Sequence, residues 1–191
     1  MSKAEAHTVA PPFHPTVAIL LRPAEPDDAL CLGVLATQVW LDTYAKPGIR
    51  TSFAQYVRSA FASEAMLALI KQPDVRLVVA ECEGHLVGLA QYTLRRPPPL
   101  AQPCEAAELD RLYVQEPFTG KGVGARLNAR VEAECVSLGT TTLWLQAWTG
   151  NARALAFYAR HGYADVGTTF FEMDGERHEN RVLAKSLSST R

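Results

Sequence analysis

The sequence predicts a single α/β domain in which helices cover the faces of one sheet. At 191 residues the chain has the length of one ordinary domain. Its hydrophobic fraction of 48% is sufficient for a sizeable core. Short apolar segments rich in β-branched residues are interspersed with segments whose apolar residues recur every three to four positions. That mixture is typical of strands and helices packed in layers.

The predicted elements occupy almost the whole chain after a proline-rich start. Residues 1–15 contain three prolines and predict a flexible tail, so the folded domain would span residues 16–191. Helical periodicity occurs in five segments: residues 28–44, 53–61, 64–71, 122–138 and 151–161. Strand composition occurs in seven segments: residues 16–21, 75–81, 85–94, 108–114, 141–148, 163–173 and 179–187.

Turn and cap residues set the limits of these elements. Pro26 and the acids after it suit the first turn of a helix, where N–H groups are unpaired and the helix dipole is positive. Gly84 predicts a tight hairpin turn with a positive φ. Ser63 and Asn151 are predicted N-caps. Residues 95–107 contain four prolines and predict a loop.

Charge and composition exclude several classes of partner. The formal net charge is −1, which gives no general attraction for nucleic acid or for an acidic membrane. The four cysteines and five histidines are scattered, so no metal site is expected. The first residues lack an apolar signal segment, and no apolar run approaches the roughly 18 residues of a membrane span. A cytoplasmic location is therefore predicted.

The most informative local pattern is a glycine-rich loop between a predicted strand and a predicted helix. Residues 119–124 read Thr-Gly-Lys-Gly-Val-Gly. Alternating glycines let backbone N–H groups approach an anion, and a helix N-terminus adds unpaired donors, so a pyrophosphate fits this loop. A P-loop would need Ser or Thr after Lys121, and a Rossmann loop has another spacing. A flexible turn without a ligand remains an alternative.

Two patterns together resemble the GCN5-related N-acetyltransferase (GNAT) family. Its [QR]-x-x-G-x-[GA] loop matches residues 119–124, although Thr119 stands where the family has Gln or Arg. Its N-x-x-A-x-x-F-Y-x-x-x-G-[FY] helix matches residues 151–163. The resemblance covers about residues 17–187 and is strongest over 108–163.

The resemblance implies a mixed, mostly antiparallel sheet of about seven strands with helices on both faces. A V-shaped cofactor cleft would open between the strands at 108–114 and 141–148. It further implies an enzyme that transfers the acetyl group of acetyl-CoA to a primary amine by direct attack, without a metal, and it is compatible with a homodimer. The cofactor-binding residues it implies are Leu112, Tyr113, Val114, Thr119, Gly120, Lys121, Gly122, Val123, Gly124, Ala125, Asn151 and Tyr158.

The same resemblance assigns catalytic roles. Tyr158 matches the family's general acid, and a tyrosine with a pKa of about 10 stays protonated at neutral pH and can donate to a thiolate. Glu108 is the candidate base, acting through water, and Asp110 is a weaker candidate on the same side of the strand. The structural alternatives are a core aromatic for Tyr158 and solvated carboxylates for the two acids.

The acceptor side is less specific. Trp40 and Tyr44, with Glu108, are predicted to bind the substrate, and Tyr56 and Phe61 are predicted beside them, although these aromatics could simply be core. A looser likeness to bacterial polyamine acetyltransferases rests on the following residues: Thr43, Tyr44, Tyr56, Phe61, Trp144, Trp148 and Asn151. Acids near the last turn could attract a polycation, namely Glu172, Asp174, Glu176 and Glu179.

Several acceptors and two other classes of function therefore stay open. A polyamine, a protein N-terminus or a small amino compound would each suit the fold, so the partner is a small-molecule or peptide amine. A non-catalytic acyl-CoA-binding sensor and a phosphate-binding regulator are the alternatives to an enzyme.

Overall fold

A computed structural model of the chain describes residues 18–99, 105–173 and 175–187. The predicted tail at residues 1–15 lies outside these ranges, as do the middle of the proline-rich loop and Asp174. The elements along the chain are β1 (Ile19–Pro23), α1 (Ala29–Tyr44), α2 (Thr51–Ala60), α3 (Ser63–Lys71), β2 (Val75–Cys82), β3 (His85–Thr93), β4 (Ala106–Val114), α4 (Val123–Ser137), β5 (Thr142–Trp148), α5 (Ala152–Arg160), β6 (Ala164–Met173) and β7 (Glu176–Ser186).

One seven-stranded sheet runs through the molecule in the order β1-β2-β3-β4-β5-β7-β6. Each neighbouring pair is antiparallel except β4 and β5, which are parallel. The predicted mixed, mostly antiparallel sheet is therefore confirmed.

Helices cover both faces of this sheet, as predicted. Helices α1, α2 and α3 pack on one face, where Leu32 and Met66 are completely buried against Val79 and Leu89. Helices α4 and α5 pack on the other face around fully buried Leu127. The sheet is thus the middle layer of three, and residues on adjacent positions of one strand enter different cores.

Three local predictions need adjustment. Ser63 is not an N-cap: it is the first residue of α3, Ala62 precedes the helix, and no side chain caps it. Strand β1 extends through Pro23, which an edge strand tolerates because its outer N–H needs no partner. Strand β7 begins at Glu176 rather than three residues later, because the final hairpin continues to the pair formed by Met173 and Glu176.

An irregularity in β4 affects the site. Gln91 of β3 lies opposite Arg111, whereas the next residue, Tyr92, lies opposite Leu109. Asp110 is therefore the extra residue of a β-bulge. Such a bulge locally re-aims side chains, and it places Asp110 and Arg111 next to each other without the strict alternation of a regular strand.

Candidate functional site

A split in the middle of the sheet is formed where β4 and β5 separate. The two strands pair only at their beginnings, and the last pair joins Glu108 to Trp144. Beyond it, β4 continues to Val114 and β5 continues to Trp148 without pairing to each other. This is the V-shaped cleft that the sequence predicted.

The backbone of β4 offers hydrogen-bonding groups to the split. The N–H of Gln115 donates to Val87 O of β3 at 3.0 Å. Because backbone polar groups point to opposite edges at successive residues of a strand, those of Leu112 and Val114 are directed to the edge facing β5. An extended ligand arm could pair with them as a strand would.

The glycine-rich loop leads directly into the N-terminus of α4. Gly120 and Gly122 have φ values of 71° and 81°, in the left-handed region that favours glycine. No side chain caps α4, and its first internal bond runs from Arg126 N to Gly122 O. The N–H groups of Val123, Gly124 and Ala125 precede this bond and have no helical partner. They form a cluster of donors that suits a phosphate.

Side chains contribute less to this cradle than its backbone does. The Thr119 hydroxyl donates to Glu116 O at 2.8 Å, so it stabilises the preceding turn. Glu116 in turn receives two bonds from Arg153 of α5, at 2.9 and 2.8 Å. The Val123 side chain is 1% exposed in the core, and the Lys121 ammonium lies 5.7 Å from the centroid of the Phe118 ring. The cradle is therefore a turn fixed to α5 with backbone donors.

Tyr158 of α5 is buried beside the split, with its ring in edge contact with Phe157 and Tyr163. Burial, and then the neighbouring Tyr44 hydroxyl, raise the pKa of Tyr158. Its hydroxyl makes no hydrogen bond within the described parts of the chain. Tyr158 therefore holds its proton at neutral pH and has a donor free for a ligand.

Asn151 has the predicted capping role. Its Oδ1 accepts a hydrogen bond from Ala154 N at 3.1 Å, at the start of α5. This bond uses the carbonyl oxygen and leaves the side-chain amide N–H groups available on the loop that follows β5.

Two carboxylates lie where β4 and β5 begin to separate. Glu108 forms an ion pair with Arg96, 2.9 Å between Oε2 and Nε, and accepts a hydrogen bond from Gln146 of β5 at 3.4 Å. Asp110 accepts from Thr93 Oγ1 at 2.7 Å and lies 3.3 Å from Arg96. Both carboxylates contact Arg96.

The environment disfavours charge on both acids. Burial, and then the charge of Asp110, raise the pKa of Glu108, whereas Arg96 and Gln146 oppose this shift. Burial likewise raises the pKa of Asp110, against the effect of Thr93 and of the nearby arginines. A raised pKa of the carboxyl group is closer to the pKa of the amine from which it would take a proton.

An aromatic cluster covers the other side of the split. Trp40 is 6% exposed, and its ring contacts those of Tyr44, Phe53 and Tyr56 at centroid distances of 5.0, 5.2 and 4.9 Å. Tyr44 also lies 5.7 Å from Trp148 at the end of β5. Tyr44 is therefore next to the split, whereas Trp40 is a core residue that supports it.

The acids of the last hairpin are offset by basic neighbours. Glu176 lies 3.6 Å from Arg50, and Glu179 lies 3.6 Å from Arg181. Glu172 lies opposite Arg177 across the hairpin. Their net attraction for a polycation is correspondingly reduced.

Four polar residues next to these groups were not predicted from the sequence. Arg96 and Gln146 hold Glu108, and Gln91 accepts a hydrogen bond from Arg111. The available signal was composition: Gln91 and Arg111 are polar residues in central strands that are otherwise largely apolar.

The described residues show neither a metal-binding cluster nor a membrane-spanning helix. Among the residues it describes, no group of three or more His, Cys, Asp or Glu side chains could hold a metal ion. No helix in those same ranges has the length and hydrophobicity needed to cross a membrane.

Comparisons with known proteins agree with this architecture. The sequence model of the Acetyltransferase (GNAT) family matches residues 40–163, more than half of the chain. An uncharacterised N-acetyltransferase of Mycobacterium tuberculosis is 28% identical over 135 residues, which are 70% of this chain and 81% of the relative.

Two solved structures share the fold. PaiA N-acetyltransferase from Thermoplasma acidophilum, in complex with coenzyme A, has a TM-score of 0.72 and 21% identity, covering 88% of this chain and 99% of that one. YncA from Salmonella typhimurium, with its cofactor acetyl-CoA, has a TM-score of 0.63 and 19% identity, covering 90% and 95%.

These findings define the class of protein, which is an N-acetyltransferase with acetyl-CoA as its cosubstrate. The chain belongs to the Acetyltransferase (GNAT) family. The predicted family, fold, enzyme class and cosubstrate are thereby confirmed.

Proposed function

We propose that this enzyme transfers the acetyl group of acetyl-CoA to a primary amine by direct attack on the thioester. The observation that carries the proposal is the early end of the pairing between β4 and β5, at Glu108 and Trp144, beside the glycine-built start of α4. An extended thioester arm fits the split, and a pyrophosphate fits the donors at the helix.

The backbone supplies most of the cofactor contacts. Leu112 and Val114 pair with the pantetheine arm, with Tyr113 between them, and Gly120 to Ala125 bind the pyrophosphate. The Asn151 amide is near enough to the end of β5 to contact the arm, since its backbone N–H donates to Trp148 O at 2.9 Å. The bound coenzyme in the PaiA and YncA structures supports this assignment.

The acceptor nitrogen must first lose a proton. An alkylamine has a pKa of about 10.4, so at pH 7 only about one molecule in 10³ is uncharged. Glu108 accepts that proton through water, and its raised pKa suits this role. The nitrogen then bonds to the carbonyl carbon while the Val114 N–H stabilises the negative charge that develops on the carbonyl oxygen.

The departing sulfur requires a proton donor. As the carbon–sulfur bond breaks, the Tyr158 hydroxyl donates its proton to the thiolate, whose own pKa is about 8.5. The nitrogen, positively charged after the attack, releases its second proton through water, and that proton restores the Tyr158 hydroxyl. The buried hydroxyl has no hydrogen-bond partner in the described part of the molecule, so its proton is available. The products are the acetylated amine and free coenzyme A.

The acceptor is a small-molecule or peptide amine that enters between Glu108 and the aromatic cluster at Tyr44. The likeness to polyamine acetyltransferases supports a polyamine, whereas the arginines beside the hairpin acids weaken that case. A protein N-terminus has no observation of its own in its favour.

Thiol release from acetyl-CoA in the presence of a panel of amines tests the proposal directly. Turnover with at least one primary amine is expected, together with acetyl-CoA binding that is much tighter than ATP binding. Tight binding without turnover on any amine would instead favour a non-catalytic acyl-CoA sensor. Equal binding of ATP and acetyl-CoA would favour a phosphate-binding regulator.

A further inference from the structure

Arg111 is a positively charged residue in the middle of the central strand β4. Its guanidinium lies over the Phe61 ring, 5.2 Å from the centroid, and its Nη1 donates to Gln91 Oε1. Gln91 is only 5% exposed, so the guanidinium is held between a buried amide and an aromatic face. Arg111 itself is partly buried.

No carboxylate neutralises this charge at close range. Within the described ranges, no Asp or Glu oxygen lies within the 4.0 Å ion-pair distance of Arg111, and the adjacent Asp110 is bonded to Thr93 and Arg96 instead. Of the five N–H donors of Arg111, one has an acceptor in the described structure. Asp110 is within electrostatic reach of Arg111 but forms its ion pair with Arg96. A ligand with a negative charge would therefore stabilise the partly buried guanidinium further.

The unused donors of Arg111 are not sealed inside the protein. Neither its Nε nor its Nη2 is among the side-chain atoms of the described residues that are both fully buried and without a hydrogen-bond partner. They therefore remain accessible to a ligand, and the guanidinium fork matches the two oxygens of a carboxylate.

Three tyrosine hydroxyls lie around the same space. Those of Tyr44, Tyr56 and Tyr113 make no hydrogen bond to any residue that the structure describes. Tyr44 and Tyr56 both contact Trp40, and Tyr56 packs edge-on against Phe61, 5.8 Å between centroids. Burial raises the pKa of Tyr113. The neighbouring Tyr44 and Tyr56 add to this shift and Arg111 opposes it, so all four groups are within electrostatic reach of one another. Hydroxyls without a protein partner are free to bond to water or to a ligand, so these three can complete a site around Arg111.

We propose that Arg111 and these tyrosine hydroxyls bind a carboxylate or similar oxyanion on the acceptor, which is therefore an amino acid-like amine. The proposal rests on the acetyl transfer proposed above and names its acceptor class. The amine is directed to Glu108 and the oxyanion to Arg111. A cationic polyamine would instead place positive charge beside an arginine that has no ion pair among the described residues.

The spacing along β4 limits the length of this acceptor. Glu108 and Arg111 are three residues apart on one strand, a Cα separation of roughly 8–10 Å at about 3.3 Å per residue. The Arg111 side chain lies over Phe61, on the face of the sheet covered by α1, α2 and α3. The Glu108 side chain contacts Gln146, on the continuation of that face over β5. Acceptors with a few bonds between the amine and the carboxylate fit this separation.

Matched amines with and without a carboxylate test the assignment. The pairs are glycine with methylamine, β-alanine with ethylamine, and 4-aminobutyrate with propylamine, with spermidine as the polycation. For the wild-type enzyme, kcat/KM for at least one amino carboxylate should exceed that of its matched amine about 30-fold or more, since a charge-assisted contact is lost in the latter.

Variants of Arg111 separate an anion site from a structural role. Arg111→Met should lower kcat/KM for the amino carboxylates roughly 30–300-fold and change that for the matched amines less than about 3-fold. Arg111→Lys, which keeps the charge and protects the fold if the first variant is unstable, should recover part of the loss. Arg130→Met, on the exposed side of α4, is the control and should have no effect.

Equilibrium binding makes the test independent of turnover. With saturating coenzyme A, the amino carboxylates should raise the thermal midpoint of the wild type and of Arg130→Met, and not that of Arg111→Met. If no amine is acetylated but this pattern holds, the acetyl-transfer proposal fails while the anion site stands. If Arg111→Met lowers kcat/KM equally for both members of each pair, or if the wild-type enzyme prefers spermidine, the anion-site proposal is overturned.

Discussion

The two sides of the split are built from different kinds of group. On the proposed cofactor side, the donors are backbone N–H groups of one strand and one helix start, at Leu112, Val114 and residues 123–125. On the proposed acceptor side, the groups are side chains from α1, α2, β4 and β5, brought together over long sequence distances. A backbone site requires a chain conformation, whereas a side-chain site requires several residue identities. Changes on the first side should therefore alter cofactor affinity, and changes on the second should alter the choice and turnover of the acceptor.

The largest effect is expected at Tyr158, where the two sides meet. Tyr158→Phe removes the hydroxyl that we propose as proton donor to the thiolate, and it leaves the backbone cradle intact. We expect kcat to fall about 10²–10³-fold, in the range typical of a general acid. Acetyl-CoA affinity, measured by calorimetry, should change less than about 3-fold. A large loss of acetyl-CoA affinity with unchanged kcat would instead assign Tyr158 to cofactor binding, and the proposed role as proton donor would be rejected.

Glu108 provides the next largest effect, on the acceptor side. Glu108→Gln keeps the size of the side chain and removes the proposed base. We therefore expect kcat/KM for amines to fall about 10–10²-fold and its decline at low pH to disappear. A pH–rate profile of both proteins measures this. Asp110→Asn is the matched comparison, and a larger loss in that variant would make Asp110 the base.

The same substitution should raise stability at neutral pH. Because burial raises the pKa of Glu108, the folded state binds its proton more tightly than the unfolded chain does. The stability from this group is complete below the unfolded pKa and is lost as pH rises through the folded pKa. The melting temperature of Glu108→Gln minus that of the wild type should therefore increase from about pH 4 to about pH 7. A difference that stays constant or falls would contradict the raised pKa.

A glycine pair sharpens the comparison from the cofactor side. Gly122 and Gly139 both have φ of 81°, and a Cβ added at either would have no atom within 4 Å. Alanine should cost roughly 1–2 kcal/mol of stability at each, from the left-handed conformation. Only Gly122→Ala should also weaken acetyl-CoA binding, about 10-fold, because it disturbs the donors at the start of α4. Equal cofactor affinity in both variants would remove Gly122 from the cradle.

The smallest effect concerns Asn151, whose oxygen and amide are expected to serve different purposes. Asn151→Ala should destabilise the protein by about 1 kcal/mol through loss of the cap. Asn151→Asp keeps the capping oxygen that Ala154 N uses and loses only the amide donor. Normal stability with a few-fold weaker acetyl-CoA binding in Asn151→Asp would support the cofactor contact. Unchanged binding in both variants would leave the residue as a cap alone.

The parts of the molecule that the sequence could predict are those with local causes. The seven strands, the glycine turn before α4 and the Asn151 cap each depend on residues a few positions apart. The prediction of Ser63 as an N-cap was wrong, because a hydroxyl residue at a helix start can be the first helical residue as easily as the cap. The Pro23 end of β1 was missed because its tolerance depends on the strand being at an edge.

The acceptor side was harder to predict because its residues acquire meaning only through tertiary contacts. Arg111 is one charged residue in a strand, and its importance appears only with Gln91 from β3 and Phe61 after α2. The bulge at Asp110 likewise follows from how β3 and β4 pair. Trp40 was predicted at the substrate side from the family resemblance, with a core aromatic as the alternative, and its side chain is buried in the core.

The short parallel pairing of β4 with β5 also has a mechanical consequence. Three residue pairs, from Ala106 with Thr142 to Glu108 with Trp144, form the backbone join between the four strands on one side of the sheet and the three on the other. A thioester arm that bonds along the open edge of β4 would act as an internal brace across this join. Loading the cosubstrate should then slow amide hydrogen exchange in both half-sheets, and release of coenzyme A should loosen them together.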